Sequence, residues 1–147
     1  MWRDLIERLY DDAEFADPAS DTDIDQIERR LGQPVPEELR RLLRETDGVR
    51  ADYGSGLVWS LQEIIEQNTE FRESADFALL YMSFGQLMFM ADDGGGDRFA
   101  YVRVPAGRPD DLFVWDHETD ERRWVARSLQ DYLERRADGD DWYKKGL

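Results

Sequence analysis

The feature that most constrains this chain is a change of hydrophobic period near its middle. In the first half, apolar side chains recur at helical spacing: Trp2, Leu5, Ile6 and Leu9, then Ile24, Ile27 and Leu31, then Leu39, Leu42 and Leu43, then Leu61, Ile64 and Ile65. From residue 79 onward, short runs rich in aromatic, Leu, Met and β-branched side chains are separated by Gly, Pro and Asp. A final helical stripe, Leu129, Tyr132 and Leu133, follows. Helices at both ends with strands between them predict an α+β domain. Its N-terminal helices pack on a mostly antiparallel sheet of about five to six strands, and a C-terminal helix closes it.

Local signals set the element ends. The first helix is expected to run to the neighbourhood of Phe15, with a loop containing Pro18 after it. The second stops at Gly32, and Pro36 stands where the first residue of the third is expected. Residues 49–56 read as a Gly-containing loop and residues 57–59 as a strand. Ser60 and Glu63 form a capping box that opens a fourth helix, running to about Ser74. Strands are predicted over 79–84, 86–91, 98–104, 112–115 and 123–126, and the last helix begins at Ser128. Leu31, Leu39, Leu42, Leu43, Trp59, Phe99, Tyr101, Val114 and Leu133 are the predicted core. Trp142 and Tyr143 stand out in a polar tail as residues able to dock on the body. The 147 residues fit one domain, 1–147.

Composition removes several functions. The chain has no Cys, which excludes disulfides, thiolate metal sites and Cys nucleophiles, and its single His excludes sites that need two. There are 34 Asp and Glu against 19 Lys and Arg, a formal net charge of −15. Such a chain repels nucleic acid and anionic membranes and favours cationic partners. No run has the length of a membrane span or the form of a leader, so the cytoplasm is the expected compartment.

The motifs that could carry chemistry are weak. Asp21, Asp23 and Asp25 have calcium-loop spacing, but Gln26 stands where the turn needs Gly and Gly32 where a bidentate Glu is needed; an acidic helix N-terminus is the better account. In residues 92–97, Asp92, Asp93 and Asp97 flank Gly94, Gly95 and Gly96, a composition that repels phosphate and fits a hairpin turn with positive φ. Asp116, His117 and Glu118 are adjacent, and on a strand such neighbours face opposite ways, so no triad is expected. No catalytic residue, cofactor or metal ligand is therefore assigned. A carboxylate-dependent metal hydrolase using Asp92, Asp93, Asp97, Asp116 and Glu118 stays as the enzymatic alternative.

Taken in order, several segments resemble the SUKH superfamily, which includes the fungal Smi/Knr cell-wall regulators and many bacterial immunity proteins. They are Ile24-x-x-Ile27-Glu28-x-x-Leu31-Gly32, Val35-Pro36-Glu37-Glu38-Leu39 through Leu43, and Thr46-Asp47-Gly48. Trp59, the Gly94-Gly95-Gly96-Asp97 turn, Val114-x-Asp116-His117-Glu118 and the Ser128-Leu129-x-x-Tyr132-Leu133 helix complete the set. The resemblance covers residues 20–137. It departs at Asp47-Gly48, where the family usually has Asn-Gly. It implies helices packed on a mostly antiparallel sheet, no catalysis, and either immunity by binding a toxin domain, often a nuclease, or a regulatory scaffold role.

The charge is consistent with the first of these, because a nuclease cleft must be basic to attract phosphate. The expected partner is a basic cognate toxin, with no direct contact to nucleic acid or membrane. The expected surface is the turn side of the strand meander: Asp92, Asp93, Asp97, Asp110, Asp111, Asp116 and Glu118. Residues 1–28, with ten acidic residues and two Arg, are the competing surface.

Overall fold

A computed structural model describes residues 1–103, 109–139 and 142–144. Among these the order is α1 (Trp2–Leu9), β1 (Glu14–Phe15), α2 (Asp21–Leu31), α3 (Glu37–Glu45), β2 (Val49–Ala51), β3 (Ser55–Val58), α4 (Leu61–Glu73), α5 (Ala75–Leu80), β4 (Leu87–Asp92), β5 (Arg98–Val102), β6 (Leu112–Trp115), β7 (Arg122–Ala126) and α6 (Leu129–Arg136). The class is α+β, as the change of period requires. The strands fall into two antiparallel sheets, β1-β2-β3 and β4-β5-β6-β7. The predicted strand end at Val104, the turn at 105–107 and the tail positions 140–141 and 145–147 lie outside the described residues.

The helix ends follow the local chemistry. Ser20 Oγ accepts from the Asp23 N–H at the start of α2, and Gly32 ends that helix at φ +71°. Pro36 is the residue before α3 rather than its first helical one. The capping box of Ser60 and Glu63 is complete. Asp47 adds a second cap, accepting from the Leu61 N–H at 2.8 Å.

Three segments differ from the sequence expectation, each for a tertiary reason. Helix α1 stops at Leu9 because the chain turns to let Glu14 and Phe15 pair with Arg50 and Val49. Residues 49–58 form a hairpin, not a loop: Asp52, Tyr53 and Gly54 all take positive φ, and the Asp12 carboxylate accepts from the N–H groups of Asp52 and Tyr53. Residues 75–80 form helix α5, where a strand was expected from 79. Ser74 caps it at the Phe77 N–H, and Phe77 and Tyr81, four apart, turn to one side. They join Phe71, Phe84 and Trp115 edge to face, with centroids such as Phe71–Phe77 at 4.9 Å and Tyr81–Trp115 at 5.3 Å.

The two sheets meet at the outer edge of β4. A register shift between Phe89 and Ala91 interrupts the pairing with β5 at Met90, whose carbonyl accepts from Trp59 N–H at 2.8 Å. The next backbone unit is closed by a side chain. Asn68, buried on α4, donates to Phe89 C=O at 2.9 Å and accepts from Phe89 N–H at 2.8 Å. Arg72 donates to Leu87 C=O. An edge strand with unpaired polar groups would otherwise be costly to bury. All the predicted core residues are buried. The tail docks as well: Trp142 stacks on Phe99, and Tyr143 is buried beside it.

Candidate protein-interaction surface

The meander places its turns at two ends. Arg98 pairs with Trp115 and Tyr101 with Leu112, so the β4–β5 and β6–β7 turns share one end and the β5–β6 connection lies at the other. The seven acidic residues expected as one surface are therefore divided. Asp92, Asp93, Asp97, Asp116 and Glu118 lie at the first end, Asp110 and Asp111 at the second.

At the first end most of the carboxylates serve the fold. Asp92 accepts from the Trp59 indole N–H at 2.6 Å and the Gly94 N–H at 2.8 Å. Asp93 accepts from the N–H groups of Gly95 and Asp97. Gly94 and Gly96 take φ of +84° and +114°, as the hairpin reading required. A Cβ on Gly96 would also lie 3.0 Å from the His117 ring. Asp97 is buried, 6% exposed, and accepts from the His117 backbone N–H at 3.1 Å and from its ring Nδ1 at 2.5 Å. The Tyr143 hydroxyl lies 2.7 Å from Asp93 and 2.8 Å from Asp97, so its single proton is shared between them. Asp97 thus belongs to the interior, not to the open turn surface on which the sequence reading placed it, and a Lys there would strike the fold.

The protonation states follow from these contacts. Burial opposes charge on Asp97, but the bonds from His117 and Tyr143 outweigh it and hold the carboxyl below its ordinary range. The bond to Asp97 raises the His117 pKa; desolvation opposes it, and the charges of Asp97, Glu118 and Asp116 add to the rise. Burial, together with Asp93 and Asp97, pushes the Tyr143 hydroxyl up, so it remains a donor.

Strand alternation, used above to separate Asp116 from His117, does not apply, because the strand ends at Trp115 and residues 117–119 form a turn. Asp97, Asp116 and His117 each bring a possible ligand atom within 4.8 Å of the others. Two oxygens and a nitrogen suit a divalent cation in principle, but His117 Nδ1 is already engaged by Asp97. In the calcium-like stretch, Asp21 pairs with Arg40 and Arg44, and Asp25 with Arg40.

What remains open to a partner at this end is Glu118, 79% exposed, with half-buried Asp116, whose Oδ1 accepts from the Glu118 and Thr119 N–H groups. Next to them lies a residue that the sequence reading missed. Asp120, at φ +64°, accepts from Trp115 Nε1, Arg122 and the Met82 backbone N–H, and so ties the β6–β7 turn to the end of α5. Nothing near Asp120 in the sequence signals the link to Met82. At the second end Asp110 is exposed near Glu38, whose carboxylate accepts from Leu129 N–H and Tyr101 O–H. Burial, with a contribution from Asp110, raises Glu38 to about 7. Trp59 and Trp115 are buried, whereas Trp124 is exposed beneath Arg135.

The model of the SMI1/KNR4 family (SUKH-1) matches residues 18–135, most of the chain and the whole body from α2 to α6. The chain belongs to the SMI1/KNR4 family. No curated protein matches it. SMI1/KNR4 membership places it among regulatory and immunity proteins that act by protein–protein interaction. No described helix is long and apolar enough to cross a membrane.

Proposed function

We propose that this chain is a non-enzymatic immunity protein that binds and neutralises a cognate bacterial toxin domain in the cytoplasm, with a basic nuclease domain as the partner class. The observation that carries this reading is the family match over residues 18–135 in a chain of net charge −15. A cleft that attracts phosphate is basic, and an acidic inhibitor is steered to it and competes with the nucleic acid. The open carboxylates at the turn end, Glu118 and Asp116, support contact there.

The test is co-expression with the toxin domain encoded beside its gene. Survival of the host, a stable complex and an association rate that falls as salt rises are the expected results. A toxin that kills equally well in its presence would overturn the reading. Of the carboxylates named for the hydrolase alternative, Asp97 and Asp116 lie in one cluster, with His117. Under the proposed function, the melting temperature is unchanged by calcium, magnesium or zinc; a clear rise with micromolar metal would favour the hydrolase.

A further inference from the structure

Helix α5 and the turn after it present apolar side chains to solvent on a rigid support. Leu79 is 88% exposed, Leu80 69% and Met82 69%, and no residue of α5 is fully buried. This is not a frayed segment. Phe77 and Tyr81 anchor it in the aromatic cluster beside Phe71, Phe84 and Trp115. Its backbone is clamped from the β6–β7 turn. The Met82 N–H donates to Asp120 at 2.9 Å, and Arg122 donates to the carbonyls of Met82 at 2.8 Å and Ser83 at 2.7 Å. An adjacent group of large exposed apolar residues marks an interaction surface. One held rigid before binding loses little entropy when it is covered.

The charges around it define the occupant. Asp76 lies three and four residues before Leu79 and Leu80, on their side of α5, and Glu73 ends the preceding helix. Glu118 and Glu121 are exposed on the turn that clamps Met82. The arginines on the neighbouring elements already have partners. Arg122 holds Asp120 and the two carbonyls, Arg72 donates to Leu31 and Leu87 carbonyls, and Arg123 faces Glu121 at 3.7 Å. An apolar centre with an acidic rim fits a partner of the converse design, with apolar side chains flanked by Lys and Arg. A second copy would bring rim against rim, with a charge of −15 on each body, and an anionic membrane is opposed in the same way.

We infer that Leu79, Leu80 and Met82, rimmed by Asp76, Glu118 and Glu121, form the docking surface for a basic protein partner. Under the proposed function that partner is the toxin domain. Leu79 and Leu80 supply the anchors, and the neighbouring carboxylates supply steering and orientation.

The experiment has two arms. In the first, the methyl-labelled protein is titrated with an amphipathic helical peptide made only of Leu and Lys, and with a Leu and Glu peptide of the same pattern. The Leu/Lys peptide shifts the methyls of Leu79, Leu80 and Met82 most, the Leu/Glu peptide leaves them in place, and Leu79→Ser with Leu80→Ser weakens binding by at least about tenfold. Largest shifts elsewhere overturn the inference, as does wild-type self-association or vesicle binding that the double variant loses.

The second arm uses the toxin domain. The double variant should protect poorly although its melting temperature is that of the wild type. Wild type and double variant protecting equally overturns the inference and leaves the proposed function standing. A wild type that fails to protect overturns the proposed function, and the peptide arm still decides the inference.

Discussion

Strand β4 is held by two polar arrangements of opposite kind. Midway along its outer edge, at Phe89 and Met90, it is closed by neutral groups: Asn68 bonds both backbone groups of Phe89, and the Trp59 N–H meets the Met90 carbonyl. Its end is closed by charged ones: Asp97 with His117, and Tyr143 between Asp93 and Asp97. The neutral seam lies in the core and carries no charge to titrate. The ionic end is partly open to solvent and has carboxylates left over to meet a partner. One strand thus serves as a fixed wall on one side and, at its tip, as a surface tuned by charge.

Breaking the neutral seam should have the largest effect. Asn68→Leu strands the N–H and C=O of Phe89 without a partner, at a cost of about 2–4 kcal/mol. Urea denaturation should give the same loss at pH 5 and pH 8, since no titrating group is removed. A loss that varied with pH would erase the contrast between the two arrangements.

Breaking the ionic end should cost less and depend on pH. Asp97→Asn removes a charge-assisted bond, about 1–3 kcal/mol near pH 6. Because the Asp97 pKa is lowered on folding, its contribution is present above the ordinary carboxylate range and is lost as pH falls through the folded value. Because the His117 pKa is raised, its contribution is full below 6.5 and is lost as pH rises through the folded value. The variant should flatten both arms of the stability profile, and NMR titration should place the wild-type His117 above 6.5.

Glu38 sharpens the comparison from the far end of the sheet, with the opposite sign. Its carboxyl rises from 4.5 to about 7 on folding, so stability should fall as pH climbs between those values. Glu38→Gln should match the wild type at pH 4 and exceed it by about 1 kcal/mol at pH 8, measured by thermal melts. The smallest effect belongs to the open surface beside the ionic end. Leu79→Ser with Leu80→Ser should change stability by no more than about 0.5 kcal/mol, because both side chains stay mostly in water on folding.

The cases that read well from sequence have causes a few residues apart. The Ser60–Glu63 box, the Gly32 stop and the leucine face of α3 are local patterns with one low-energy solution each. The Gly94 and Gly96 hairpin was legible for the same reason. Helix α5 was misread because Leu79, Leu80, Tyr81 and Met82 look like a buried run. Only the spacing of Phe77 and Tyr81, with Ser74 before them, hinted that half of the run faces outward. The candidate surface was legible in part: the acidic turns were found, but their division between two ends of the meander follows from strand order.

The sequence by itself determined the α+β class, the capped helices α2, α3, α4 and α6, the meander from β4 to β7, its core residues and its charge. The periods of 3.6 and 2 and the caps are properties of short segments, and charge is a sum over the chain. Tertiary structure alone decided the rest. Asp12 reaches forty residues to hold the Asp52–Tyr53 turn, Asn68 completes the edge of β4, Asp97 takes His117 and Tyr143, and Asp120 clamps α5 with its leucines outward. Each of these is a single polar side chain meeting a distant backbone or ring. Such a bond leaves no periodic trace, because the residue that needs it and the residue that supplies it are brought together only when the core between them has packed.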